Sequence, residues 1–428
     1  MTVTDAIRFT GFAAKTVGDS VWVNSKAFRA RRHWQIDAAI SDYDPLDPVT
    51  AAQPHEAYRR LHAGDRVQYN PKRKVWILSR LDDVRTALRD DTALSSADGP
   101  SLIKVRAPTL VSTDGDKHAQ LRRQVLPAFT KAALDGWRQA IDELAAETVR
   151  DVMDHPGCDV VQRLAVPMPV RLIARLLGVP DTDVADFRRW SEAAVQVTDL
   201  APTAAGVRKL AGALSGSWAM ERYFRRQFAA GGLKGTDAIL GRLLAENEAG
   251  SLSDAELFRF AMLLLLAGNE TTTNLLGGMF ATLAANPEQF DAVRADHGLI
   301  PMAIEECLRY LSPAQNLYRT ALSDYRVGEV TIPAGARILL CLGAANRDPR
   351  VFDKPDEFRV DRNSTQHIAF GFGVHLCLGA QLTRMEAQAV LLELATQASG
   401  ISTVGEVIWS TNSLLRGPTR VPVRLTRA

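Results

Sequence analysis

The one cysteine in "FGFGVHLCLG" (Phe370 to Gly379) sits among glycines and two phenylalanines near the end of the chain. Its chemistry depends on its company. A disulfide needs a partner and a zinc site needs three more ligands. The other cysteines, Cys158, Cys307 and Cys341, are far away in sequence, and no CxxC occurs. That usage fits a reducing compartment and argues against a disulfide framework. Directly after Cys377, "LGAQLTRMEAQAVLLELA" has helical periodicity, so the thiol lies at or beside a helix N-terminus. There the macrodipole favours an anion and should lower the thiol's pKa.

Gly371 and Gly373 permit sharp turns, and Gly379 lets a flat group approach the backbone closely. The arrangement suits a thiolate beneath a planar metal macrocycle, and haem with a cysteine ligand is the known solution of that type. A nucleophilic cysteine with His375 as base competes with this reading, although neighbours at i and i+2 rarely face each other. A merely buried cysteine is the default for the segment in isolation. A second candidate is the run Glu270-Thr271-Thr272-Thr273. Three threonines are poor helix formers, and a buried carboxylate is costly without a partner. The run is either a polar patch satisfied by back-bonding hydroxyls or a place where hydroxyl and carboxylate handle protons.

These residues need elements to hold them. The pattern from "SLSDAE", with Ser253 as cap and Glu256 closing a capping box, runs to Asn286-Pro287. That predicts a helix of about 32 residues, ~48 Å long, crossing the middle of the molecule. Further helices are expected over Ala132–Met153, Val184–Val197 and Ala204–Phe228. "VQYNPKRKVWILSR" reads as a hairpin turning at Asn70-Pro71, and "EVTIPAGARILLCLG" as a second strand pair about Pro333-Ala334-Gly335.

The 428 residues carry a net charge of +2 and 46% hydrophobic residues, with no linker, repeat or low-complexity run. No global field argues for nucleic acid. One large domain is expected over 1–428, with residues 1–40 as an N-terminal arm. Asp5, Arg8, Lys15 and Asp19 keep that arm short of the ~18 apolar residues a spanning helix needs. Integral membrane association is not expected. The basic stretch "KAFRARRHW" reads as a surface arm or an interfacial contact, and the protein is expected in the cytoplasm.

The whole pattern resembles the cytochrome P450 family, over nearly the full chain and in the family's order. "FGFGVHLCLG" matches the haem-binding signature at Phe370, Gly373, Cys377 and Gly379. "ECLR" matches the Glu-x-x-Arg helix at Glu306 and Arg309, and "PDEFRVDR" supplies the later arginine, Arg362. "AGNETT" matches the central-helix motif, and "HAQLR" the helix that holds haem propionates. "YRTAL" and "AANRDPRVF" fall where bacterial members carry similar segments.

The resemblance implies a mainly α fold with small β-sheets and a long central helix over haem b. Cys377 would be the axial iron ligand, with Phe370 near the sulfur and Gly371, Gly379 and Ala267 close to the cofactor. His118, Arg122, Arg319 and His375 would bind the propionates. Glu306, Arg309 and Arg362 would form a buried ion network. Thr271 and Glu270 would act as the family's acid–alcohol pair, with Ala267 and Gly268 leaving room for oxygen beside the helix. The implied activity is monooxygenation with O2. Electrons would come ultimately from NAD(P)H through a ferredoxin and ferredoxin reductase, since no flavin or nicotinamide motif follows the haem segment. A monomer is expected.

The segment Ser95 to Asp116 resembles the family's variable substrate loop, and "VTDLAPTA" a lid connection. Leu102, Ile103, Val105, Leu110, Leu263, Leu266, Ala314 and Leu317 are candidate lining residues for an apolar terpenoid, aromatic, fatty-acid-like or steroid substrate. Lys104 and Arg106 are read as facing water or, less readily, a substrate carboxylate. A peroxide-driven peroxygenase and a non-catalytic haem-thiolate sensor are the competing functions.

Overall fold

The computed structural model describes residues 34–106, 109–195, 204–230, 238–241 and 254–428. The basic stretch before Trp34, most of "VTDLAPTA" and the proposed cap Ser253 lie outside them. The fold is mainly helical. Its axis is the central helix Asp254–Ala285, 32 residues long, which ends at Asn286 where Pro287 opens the next helix. Leu257, Leu265, Leu275, Leu276, Met279, Phe280 and Leu283 are buried along it. It packs against helices Pro167–Leu176, Ile300–Leu311 and Ala380–Gln397. A helix hydrophobic on nearly all sides has no solvent face, so it is surrounded.

The helix expected over Ala132–Met153 is two helices, Lys131–Asp135 and Arg138–Asp154, separated at Gly136 and Trp137. Val184–Val195 and Ala204–Ala229 follow the predicted positions closely.

A six-stranded sheet lies at the other end of the molecule. Its strands are β1 (Ala39–Ile40), β2 (Val67–Asn70), β3 (Val75–Leu78), β4 (Leu94–Ser95), β5 (Asn316–Ala321) and β8 (Arg337–Cys341). They run in the order β1-β2-β3-β8-β5-β4. The hairpin at Asn70-Pro71 forms, with Asn70 opposite Val75. The second expected pair does not. Strand β7 (Val330–Ile332) pairs with β6 (Tyr325–Val327), whereas β8 leaves for the large sheet between β3 and β5. Gly328, at φ 61°, makes the β6–β7 turn, and the all-buried pattern of β8 suits an interior strand.

Candidate active site

Cys377 lies two residues before the N-cap, Gly379, of helix Ala380–Gln397. Its N–H donates to the Phe370 carbonyl at 2.9 Å, closing the loop on itself. Gly371 and Gly373, both at φ 74°, make the turns; a Cβ on Gly373 would strike the Leu88 carbonyl. The residue is exposed to the space beside the loop. Desolvation raises its pKa above the ordinary thiol value, against backbone N–H groups of Gly379 and Ala380 and the charges of Arg122 and Arg384. The helix terminus therefore acts in the expected direction, but burial outweighs it. The Phe370 ring carries the Arg384 guanidinium at 4.6 Å.

Around this loop stands a cationic cluster. His118, on helix Gly115–Val125, meets His375 with ring centroids 4.1 Å apart. Both Nε2 atoms are buried without a hydrogen-bond partner, and His375 Nε2 stands 3.7 Å from Asp114. Burial, then the neighbouring His375 and Arg122, push the His118 pKa down to about 4. Arg122 donates to the Leu376 carbonyl at 2.8 Å. Arg319, on β5, is buried, and its one hydrogen bond goes to the Tyr318 carbonyl at 3.0 Å. Desolvation lowers its pKa to about 10. Asp114 is the carboxylate nearest this cluster, and buried donors that it leaves without a hydrogen bond call for a further anion. Among the described residues, apart from its chain neighbours, nothing stands within 4 Å of where a Gly379 Cβ would be. The donor set and the open backbone fit an iron porphyrin with its carboxylates.

The central helix brings Ala267, Glu270 and Thr271 into one turn. Ala267 is exposed in a segment otherwise lined with leucines, and Glu270 and Thr271 are half-buried. Thr271 Oγ1 donates to the Ala267 carbonyl at 2.6 Å. Thr273 Oγ1 donates to the Ala165 carbonyl at 2.9 Å, and Thr272 Oγ1 lies 3.5 Å from Thr383 Oγ1 on helix Ala380–Gln397. Back-bonding thus satisfies Thr271, while the next two threonines tie the helix to its neighbours. Gly268 faces the helix Pro167–Leu176. A Cβ there would stand 3.0 Å from Ile173 Cδ1, so the glycine lets a neighbouring helix approach.

Beneath the loop, Arg309 grips Glu306 with two bonds of 2.7 and 2.8 Å, both side chains fully buried. Arg362 Nε reaches Glu306 at 3.2 Å, and the Arg359 N–H and Ser364 hydroxyl complete the carboxylate's shell. Arg309 spends its remaining donors on the carbonyls of Asn346, Pro355 and Glu357.

A second cluster was not anticipated. Glu305 binds Arg384 at 2.6 and 2.9 Å and His367 at 3.0 Å, joining helix Ile300–Leu311 to the cysteine loop and the helix after it. The adjacent glutamates of "EECLR" were its one sequence signal.

Of the lining candidates, Leu102 packs against the sheet-side cluster of Tyr43, Tyr58 and Tyr318 together with Leu415. Ala314 forms a bridge with Leu415, and Leu317 packs on the neighbouring cluster. Leu415 was missed because "NSLLRG" carries no chemical signature. Ile103 is exposed, Leu110 packs on the helical core, and Leu263 is half-buried; the side chain of Leu266 lies outside the described set. Lys104 takes neither expected role, whereas Arg106 is exposed, in keeping with the water-facing reading. Lys104 is buried against Asp98 at 3.0 Å, and Arg106 binds the same carboxylate at 2.8 Å.

A haem-thiolate oxygenase is the class that this fold and site define, and the comparisons agree. The family model for cytochrome P450 matches residues 223–395. The β-dihydromenaquinone-9 ω-hydroxylase of Mycobacterium tuberculosis is 45% identical over 395 residues, 92% of this chain and 81% of its own. Cytochrome P450 107B1 of Saccharopolyspora erythraea is 33% identical, covering 90% and 98%. Among solved structures, CYP109Q5 from Chondromyces apiculatus superposes with a TM-score of 0.81 at 32% identity, over 91% of this chain and 99% of its own. CYP109E1 from Bacillus megaterium, in complex with testosterone, does so at 0.79 and 30%, over 87% and 99%. The chain belongs to the cytochrome P450 family and is an oxidoreductase of the monooxygenase type. Among the described residues, no helix is long and apolar enough to cross a membrane.

Proposed function

We propose that the protein hydroxylates an elongated apolar substrate of the isoprenoid type, as a single haem domain served by a separate ferredoxin and reductase. The observation that carries the substrate class is the 45% identity to a hydroxylase named for a menaquinone with a polyprenyl tail. Leu102 and Ile103, on the segment that resembles the substrate loop, and Leu317 would line the channel for it.

Haem supplies dioxygen activation when bound. Cys377 would hold the iron, and His118, Arg122, Arg319 and His375 would hold the propionates. Arg319 enters that role charged and already stripped of water, so it would bind a carboxylate by charge-assisted hydrogen bonds in a poorly screened site, with His118 as a neutral donor beside it. Thr271 keeps a proton on Oγ1 beside the exposed face at Ala267. Glu270, half-buried one residue earlier, is the carboxylate placed to renew it. The electron donor would meet the cysteine side, where exposed Leu126, Val374 and Leu376 lie near Arg122, and Arg85 and Arg89 stack over Phe372. An apolar centre ringed by arginines suits an acidic partner.

Reduction under carbon monoxide should give the red-shifted thiolate–carbonyl band, lost in Cys377→Ala. A menaquinone with a long prenyl tail should shift the Soret band from low to high spin and yield a terminal alcohol with NADPH, ferredoxin and reductase. Thr271→Ala should keep the spin shift but divert electrons to hydrogen peroxide. Turnover with hydrogen peroxide and none with the ferredoxin system would instead establish a peroxygenase.

A further inference from the structure

The segment carrying Leu102 and Ile103 is held by an ion cluster that neither the haem site nor the oxygen chemistry uses. Asp98, 3% exposed, lies at its centre. Its Oδ2 accepts from Thr320 Oγ1 on β5 at 2.8 Å and from Lys104 Nζ at 3.0 Å, and its Oδ1 accepts from Arg106 Nε at 2.8 Å. The Asp98 carbonyl accepts the Val105 N–H at 2.9 Å, which closes residues 98–105 into a loop. Gly99, at φ 80°, is required there, since a Cβ would meet the Val105 carbonyl at 2.7 Å.

Arg337 on β8, wholly buried, donates to Thr320 Oγ1 at 3.0 Å and caps the carbonyls of Gly99 and Ser101. The Tyr318 N–H holds the Pro100 carbonyl at 3.2 Å. Burial works against the Asp98 charge, yet Arg106 and Lys104 bring its pKa down to about 2. It is therefore an anion at any physiological pH. The loop is fastened to β5 at Asp98 and Pro100 and to β8 at Gly99 and Ser101, and its last residues close back on Asp98. In that grip, Leu102 packs on the same cluster as Leu415, and Ile103 and Val105 remain 54% and 41% exposed.

Connections of this kind usually carry their own mobility. Here, three cations and a strand hydroxyl converge on one loop to fix two or three apolar side chains. We infer that Asp98 is a positioning residue for substrate selection, keeping Leu102 and Ile103 as a rigid wall of the substrate channel. This rests on the proposal that the segment lines the channel. Selection is then made against a preformed surface, and the affinity for long or bulky ligands depends on a carboxylate that never touches them.

The test uses haem-loaded full-length protein. Nitrogen ligands of increasing size (imidazole, 4-phenylimidazole, and an azole with several aryl groups) are titrated by their Soret shifts. The variants are the charge-balanced pair Asp98→Asn/Lys104→Met, the milder Arg106→Gln, and Leu102→Ala. Hydrogen exchange of residues 99–106 is followed in each. The double variant should keep the thiolate–carbonyl band and its imidazole affinity, exchange the loop amides at least tenfold faster, and weaken the largest azole about tenfold. Arg106→Gln should move both readouts the same way by a smaller factor, so the inference stands or falls on it if the double variant does not fold.

Unchanged loop exchange, or faster exchange with all three affinities intact while Leu102→Ala alters the largest, overturns the role of Asp98 alone. If Leu102→Ala also leaves every affinity intact, the segment does not line the channel and both readings fall.

Discussion

Two buried polar clusters flank the cysteine loop, and they differ in whether they close on themselves. Around Glu306 every charge has an answer: two arginines, a hydroxyl and a backbone N–H fill the carboxylate's shell, and carbonyls absorb the spare guanidinium donors. Around Arg319, His118 and His375 the answer is incomplete: among the described residues Arg319 is matched by a carbonyl, both histidine Nε2 atoms lack a hydrogen bond, and Asp114 stands 3.7 Å from His375. Burial costs both clusters desolvation, but only the first recovers it within the protein. A closed cluster is a fastening, and an open one anticipates a ligand. The difference is the ground for proposing the propionate side of the haem at the open cluster, and it makes no use of the cysteine.

Breaking the closed cluster should have the largest effect. Glu306→Ala strands Arg309 and Arg362 together in the core, and Arg309→Ala strands the carboxylate. Each should cost roughly 3–5 kcal/mol and leave little folded, haem-loaded protein. Thermal melting and haem content per chain measure this. Normal values in both variants would show that the cluster is not a fastening.

The open cluster should respond in the opposite sense when no haem is present. Arg319→Met removes a buried cation whose hydrogen bond goes to the Tyr318 carbonyl and whose nearby carboxylate, Asp114, acts on it only through space. The haem-free protein should melt higher, by about 1–3 kcal/mol on the scale of an unsatisfied buried group. The haem-loaded protein should release its cofactor faster to an apomyoglobin acceptor. A variant that destabilises both forms would place Arg319 in the closed class.

What the sequence could reveal follows the same division between local and distant partners. Glu306 and Arg309 are three residues apart on one helix, and Cys377 stands in a dense run of glycines, so spacing alone exposes them. The Glu305–Arg384 pair is 79 residues apart in sequence, and Leu415 meets Ala314 across a similar span. Tertiary contacts of that range leave no periodicity to read. Strand β8 was legible as a strand, but its partners were not, because alternation and turn residues say nothing about which edge arrives from elsewhere. Lys104 illustrates a finer limit. A loop lysine looks the same whether it faces water or a carboxylate six residues back.

The smallest expected effect separates Glu305 from its neighbour Glu306. Glu305 is open to solvent on one side, with its side chain 15% exposed, whereas the Glu306 side chain is wholly buried. Burial alone would raise the Glu305 pKa, but hydrogen bonds from Arg384 and His367 bring it down to about 2. An unfolded glutamate titrates near ~4.3. A depressed native pKa contributes stability that is fully present above the unfolded value and is lost as the pH falls through the folded one. The window therefore runs from about pH 5 to pH 2. Solvent screening reduces the contribution to roughly 1 kcal/mol. Glu305→Gln should therefore melt slightly lower than the parent at pH 7, and the gap should shrink steadily as the pH falls through that window. Other depressed carboxylates, Asp98 among them, keep the acid transition itself in both proteins, so the difference between the two curves isolates Glu305. A gap that stays constant down to pH 2.5 would mean the Arg384 contact works through packing on Phe370 rather than through charge.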